Sequence, residues 1–407
     1  MRTLFRLLAT APLVAGLGSA VCLQSNLTTG AQASGAQYLL YMPESSCWNG
    51  DVVVYAHGYV QPGLPLGIPQ NQLSIGSISL PGIINLLGYA FAASTFSKNG
   101  LAIVEGVNDT RDLVESVLNP QLNPNHVYLI GVSEGGLVTA LSAEQFPDLY
   151  NSAGAACGPV GSFQSQLDYL DDFRVIFDYF FPGVIPGNAL NIPPQVMSGW
   201  DTVYVPAITA ALAANPQAAS QLIKVTQAAV TSDPATIAET AVAVLWYNVF
   251  GTADAVAALG GQPYDNHDRV YSGSSNDALL NQKVERYTAS PVALAAVAAH
   301  YETTGRVHIP LLTIHTTGDP VIPYWHEILY TAKTLEARTF LDRLDMPVAS
   351  YGHCAFSASD VLAAFSLIVL RDRGMDLSTQ IRTLLAEPER REFDAAMRRA
   401  RAVPVVR

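Results

Sequence analysis

The stretch "HVYLIGVSEGGLVTALSAEQF" (126–146) constrains the fold more than any other. A β-branched, apolar run stops at Val132, one serine stands between glycines, and a helical pattern begins at once. Gly131, Gly135 and Gly136 leave room for a sharp strand-to-helix turn. Such a turn holds a serine oxygen above the edge of a sheet, at a helix N-terminus. An ordinary turn serine is the competing reading, because Gly-x-Ser-x-Gly is common. The remainder of the chain has to decide between them.

The neighbouring segments read as alternating strands and helices. "AQYLLYMPE" (36–44) and "DVVVYAHG" (51–58) are early strands, "LPGIINLLG" (80–88) a helix, and "YAFAASTF" (89–96) a strand. An amphipathic helix over 107–119 follows, then the strand 126–132, the helix 134–146 and a strand from 152. This alternation predicts a mostly parallel sheet covered on both faces. Hydrophobic residues make up 49% of the 407 residues and charged residues 14%, so a large core can be buried and global disorder is excluded.

Residues 161–305 break the pattern. They are rich in alanine and aromatics, with helix starts at Asn215 and Asp233, each followed by proline. This reads as a helical insertion. The α/β pattern resumes at "VHIPLLTIHTTGD" (307–319), with a helix over 324–337, the strand 346–350 and a closing helix over 357–374. The segment after 386 is charged and reads as a surface helix with a loose tail. Phe177, Tyr179, Phe180, Phe181, Trp200, Trp246 and Tyr247 read chiefly as the insertion's own core, with a minority reaching a pocket.

A serine hydroxyl needs a histidine to take its proton and an acid to orient that histidine. Asp319 and His353 both follow predicted parallel strands at their carboxyl ends, where open α/β sheets build their sites. The order Ser133, Asp319, His353 is the order of the nucleophile-elbow architecture. The oxyanion donors expected are the backbone N–H groups of Glu134, directly after the nucleophile, and of Tyr59, in the turn after the strand ending at Ala56. Asp345 and Asp342 are the substitute acids, and His315 and His326 the competing histidines. His57 reads as a turn-stabilising residue. "DNHD" (265–268) carries metal-ligand residue types at too tight a spacing for one segment to form a site, so neither metal nor cofactor is expected.

On His57-Gly58-Tyr59, "GVSEGG", "TTGDPVIP" and "YGHC", the chain resembles the α/β-hydrolase superfamily over roughly 35–160 and 306–374. Within it, the resemblance is to secreted serine esterases and prolyl-oligopeptidase-like catalytic domains. It implies an eight-stranded sheet, hydrolysis through an acyl-enzyme, and a lid in place of the long insertion. That insertion is similar to no lid we can name, so the substrate class does not carry over. The expected organisation is a signal peptide (1–20), a first core part (21–160), the lid (161–305) and a second core part (306–407).

The function expected is secreted cleavage of carboxylic esters, small or polymeric, with neutral esters of short to medium chain preferred under a covered apolar pocket. A serine peptidase is the runner-up, weakened because too few residues precede the first strand for a β-propeller. A non-catalytic binding protein would normally have lost one of the three site residues. The net charge of −12, from 22 basic and 34 acidic residues, speaks against nucleic acid and anionic lipid as partners.

Export is read from the N-terminus. Arg2 and Arg6 precede the apolar "LLATAPLVAGLGSAV", which ends in a small-residue cleavage site at Ala20. The segment is short for a bilayer span and Pro12 interrupts it, and Val21 argues against a lipoprotein cysteine at Cys22. No other stretch reads as a membrane span. Four cysteines allow three pairings. Proximity favours Cys22–Cys47, which leaves Cys157–Cys354, with free thiols as the alternative. Asn26 and Asn108 lie in glycosylation sequons.

Overall fold

The computed structural model describes residues 24–76 and 78–401. The expected signal segment, Cys22 and the end of the chain lie outside the described residues. Among the described residues ten strands occur: β1 Gln24–Ala31, β2 Gln37–Pro43, β3 Val52–Ala56, β4 Ser74–Ile75, β5 Ile78–Ser79, β6 Ala90–Ser94, β7 Val127–Val132, β8 Ser152–Ala156, β9 Leu311–Gly318 and β10 Arg343–Tyr351. Eight of them form one sheet in the order β1-β2-β6-β3-β7-β8-β9-β10, and β4 and β5 form a separate hairpin. Every pairing from β6 to β10 is parallel, while β2 runs antiparallel to both β1 and β6. The mostly parallel eight-stranded sheet expected from sequence is present. The two early strands are not neighbours, since β6 lies between them.

Strand periodicity divides the core in two. Val52, Val54, Leu129, Ala153 and Ala155 face the helices Ile103–Asp112 and Glu134–Gln145. Val53, Tyr55, Phe91, Leu312 and Ile314 face the helices Leu80–Leu86 and Ala358–Arg373. All five residues of β3, of β6 and of β8 are buried, as doubly covered strands require.

Two strands differ from expectation. β1 reads QSNLTTGA and carries no apolar run, because it is an edge strand with little to bury. β10 starts three residues before Met346 and admits Pro347 because it is the opposite edge, where a missing N–H costs no ladder bond. The C-terminal helix Glu387–Arg401 is not a plain surface helix. Its Phe393, Ala396, Met397 and Ala400 are buried in the same cluster as the helix Ala358–Arg373.

Between β8 and β9 the described chain forms helices and loops only. The expected caps are there. Asn215 Oδ1 accepts the Ala218 N–H at 3.1 Å, and Asp233 Oδ1 accepts the Ala235 N–H at 3.0 Å. The long helices Phe163–Phe180 and Ala235–Ala258 organise a separate core containing Phe177, Phe181 and Trp200. Ala235–Ala258 is long and apolar enough to cross a membrane, which sequence inspection had passed over. Here it is a packed helix, with Ala241, Val244, Leu245 and Val249 buried. The "DNHD" segment is a turn: Asp265 accepts the His267 and Ala289 N–H groups, and buried Asn266 bonds Tyr271 and the Glu285 carbonyl.

Candidate active site

Ser133 stands between β7 and the helix Glu134–Gln145 with φ 59° and ψ −121°. A non-glycine residue there is strained and has to be held by its surroundings. The Ser133 N–H donates to the Ala156 carbonyl at 2.9 Å, and its carbonyl accepts the Gly136 N–H at 2.8 Å. The glycines are sterically necessary. A Cβ on Gly131 would lie 2.0 Å from the Gly135 carbonyl oxygen, and one on Gly135 would lie 2.1 Å from the Ala56 carbonyl oxygen. The turn therefore closes only with hydrogen at both positions.

The three residues selected from sequence come together. Ser133 Oγ lies 2.9 Å from His353 Nε2, and His353 Nδ1 lies 2.7 Å from Asp319 Oδ2. The second carboxylate oxygen, Oδ1, accepts the N–H groups of Val321 and Ile322 at 2.9 and 3.0 Å. Asp319 is buried, which by itself raises a carboxyl pKa, but His353 and His315 outweigh burial and hold it well below the usual range. An ionised Asp319 accepting from Nδ1 leaves Nε2 free to accept the serine proton.

The competitors are engaged elsewhere. His326 stacks on Trp325, its Nδ1 accepts the Gly161 N–H at 3.1 Å, and its Nε2 pairs with Gln166 Oε1 at 2.9 Å. Asp345 accepts from the Tyr324 hydroxyl, and Asp342 is exposed. His315 has a role that sequence reasoning missed. Its Nδ1 lies 3.0 Å from Glu327 Oε1 and its Nε2 lies 2.8 Å from the Ile322 carbonyl and 3.6 Å from Asp319 Oδ2. Burial opposes its charge, yet the two carboxylates raise its pKa to about 10. Glu327 is in turn paired with the buried Arg343 guanidinium. A row of alternating charges therefore runs behind Asp319.

The His57-Gly58-Tyr59 turn lies against the nucleophile. A Cβ on Gly58 would sit 3.1 Å from Ser133 Cβ. Gln72, which sequence reasoning did not select, fixes this turn by accepting the Gly58 N–H at 2.6 Å. Its own carbonyl accepts the Tyr55 hydroxyl at 2.9 Å. His57 is buried, stacks on Phe96, and has its pKa lowered by burial, which fits the structural role expected of it. Among the described residues, neither the Tyr59 nor the Glu134 backbone N–H is engaged in a hydrogen bond.

The helix Ala235–Ala258 reaches this site. Its Tyr247 meets the His353 ring edge-on, with centroids 6.4 Å apart, and its phenol interacts with Ser133. The Tyr59 hydroxyl donates to the Phe250 carbonyl at 3.2 Å. Of the insertion aromatics named from sequence, Tyr247 is the one that lines the space around Ser133.

Cys157, just past β8, and Cys354, next to His353, form a disulfide. Cys47 is disulfide-bonded as well. Among the described residues the one cluster close enough to ligate a metal is Cys157, His353 and Cys354, and its two sulfurs are already bonded to each other.

The Glu134 side chain is buried beside the nucleophile, where Oε1 accepts the Ala102 N–H at 2.7 Å. Burial pushes its carboxyl up to about 8. A raised folded-state pKa means stability that is complete below the unfolded value of 4.5 and lost as pH rises through about 8. Glu134→Gln keeps an acceptor for Ala102 and cannot ionise. It is expected to remove a pH-dependent loss on the order of a few kcal/mol, read as a smaller Tm difference between about pH 5 and about pH 9. An unchanged Tm-versus-pH slope would contradict this.

No family model and no curated relative matches the sequence. Solved structures do. The chain is similar to the Pyrococcus horikoshii acylaminoacyl peptidase at 12% identity and TM-score 0.41, over 82% of this chain and 38% of that one. It thus spans well under half the length of that peptidase. It is similar to the rice cell wall degrading esterase LipA from Xanthomonas oryzae at 13% identity and TM-score 0.42, over 85% and 88% of the two chains. For feruloyl esterase B from Aspergillus oryzae the values are 14%, 0.44, 86% and 81%. The mostly parallel eight-stranded sheet, its helices on both faces and the strained serine turn after β7 make this chain an α/β-hydrolase fold.

Proposed function

We propose that this protein is an exported serine hydrolase that cleaves carboxylic esters through an acyl-enzyme. The observation that carries the reading is the continuous relay from Ser133 through His353 to Asp319 on a strained strand-to-helix turn. His353 takes the Ser133 proton as Oγ attacks the ester carbonyl. The oxyanion is received by the N–H groups of Tyr59 and Glu134. His353 then protonates the departing alcohol, and a water activated by the same imidazole releases the acid. The disulfide between Cys157 and Cys354 is compatible with an oxidising compartment.

In this reading residues 161–305 act as the lid over Ser133. Tyr247 against His353 and the Tyr59–Phe250 hydrogen bond support that role. The space beneath is mostly apolar, so a substrate carboxylate would have to be desolvated there without a partner. A panel of chromogenic esters run beside peptide amides tests the proposal. Neutral esters are expected to exceed both the amides and esters bearing an acyl-side carboxylate by more than about tenfold in kcat/KM, or ~1.4 kcal/mol. A preference for peptide amides would favour the peptidase reading instead.

A further inference from the structure

Ser133 stands at the mouth of a second space, on the sheet face opposite the helix Glu134–Gln145. It is a cavity of about 470 Å³ between the sheet and the helices Leu80–Leu86 and Ala358–Arg373. Val53, Phe91 and Leu312 form its sheet wall, and Ile84, Phe365 and Ile368 its helix wall. His353, Cys354 and the β4–β5 hairpin surround its opening. Protein interiors contain few voids larger than a water molecule, whose share of liquid volume is about 30 Å³. A space this large is not a packing defect.

The strand β8 contributes only small residues to its wall. β8 reads Ser-Ala-Gly-Ala-Ala, and Gly154 and Ala156 are the members that line the cavity. A Cβ on Gly154 would already lie 2.6 Å from Ile368 Cδ1, so only glycine lets the helix Ala358–Arg373 approach the sheet this closely here. Apart from Ser133 and His353 at the opening, its polar side chains are few and lie toward the hairpin, such as Gln72 and Ser74. Nothing in the depth of the cavity would repay a polar ligand for its lost water.

We propose that this cavity is a hydrocarbon chamber that takes one alkyl chain of the substrate ester while Ser133 attacks the carbonyl at its mouth. The proposal rests on the hydrolase reading and names its substrate class as esters with one long alkyl chain. The smaller arm lies in the apolar space under Tyr247, bounded by Phe163, Leu167 and Ile322. An apolar cavity of about 150 Å³ accommodates six-carbon benzene, so by volume this one has room for up to roughly 19 carbons, and a twelve-carbon chain fits within it.

The chain could belong to the acid or to the alcohol, and two isomeric substrates separate these sources. Ethyl dodecanoate carries it on the acid, and dodecyl acetate on the alcohol. Each is assayed relative to ethyl acetate. At least one ratio of kcat/KM is expected to exceed about tenfold, and the arm that does so identifies the source. Val361→Trp fills the chamber from the helix side and Ile78→Trp from the hairpin, and both positions are half-buried. Each variant, with near-ultraviolet circular dichroism confirming its fold, is expected to lower that ratio at least tenfold. Direct binding of the fluorescent fatty acid cis-parinaric acid to the Ser133→Ala protein, and its weakening by either tryptophan, reads the chamber without turnover. If the probe binds both folded tryptophan variants as tightly as the parent, and neither ester ratio changes, the chamber is excluded. If the probe responds but no ester is cleaved, the chamber stands and the hydrolase reading fails.

Discussion

Ser133→Ala is expected to lower ester turnover by about 10⁴–10⁶-fold, and adding His353→Ala to cost little more. The reason is the single relay observed. Ser133 Oγ contacts His353 Nε2 at 2.9 Å, and the opposite ring nitrogen is held by Asp319 at 2.7 Å. An imidazole with no hydroxyl to deprotonate has no remaining task, so the two losses cannot add. Asp319→Asn belongs to the same unit. It would favour the other His353 tautomer, with the proton on Nε2, and is expected to cost about 10⁴-fold. Ser133→Ala protein must first be shown to be folded, with Tm near that of the parent. Retention of near-parental esterase activity by that folded variant would remove Ser133 from the mechanism, and strictly additive losses would break the unit apart.

Breaking the Cys157–Cys354 disulfide is expected to lower stability strongly. The bond closes a loop with a sequence separation of 197, and the chain-entropy relation gives ~5 kcal/mol for a loop of that length. In a protein of this size that corresponds to a Tm lowered by on the order of 10 °C. Both cysteines hold positive φ, 44° at Cys157 and 51° at Cys354. The bond thus pins two unfavourable turns to each other, and one of them carries His353. The Cys157→Ala/Cys354→Ala protein should therefore lose activity as well as stability, because the imidazole would no longer be held against Ser133. Equal Tm values for the oxidised and reduced parent protein would show that the bond contributes nothing.

The charge row behind Asp319 ties the site to the fold. His315, Glu327 and Arg343 alternate in sign and are all buried. Asp319 keeps its ionised form because His353 lies on one side of it and His315 on the other. Without the charged His315 beside it, the buried carboxylate would be more easily protonated, and a protonated Asp319 could not orient the imidazole.

What the sequence determined by itself is chemistry enforced over a few residues. The turn at Ser133 is local sterics, since only glycine fits at positions 131 and 135 once the strand ends and the helix begins. The placement of Asp319 and His353 was legible because an apolar run announces a strand and a polar residue after it marks the carboxyl edge. Apolar runs likewise announced β3, β6 and β7, whereas polar β1 announced nothing.

Only the tertiary structure decided which side chains meet across long stretches of chain. Gln72 reaches Gly58 across a loop, Tyr247 reaches His353 from a helix over a hundred residues away, and His315 was separated from His353 only by what each packs against. The cavity beneath Ser133 was equally hidden. A void is a property of the space between β8 and two helices, and no periodicity in the chain records how closely those elements approach.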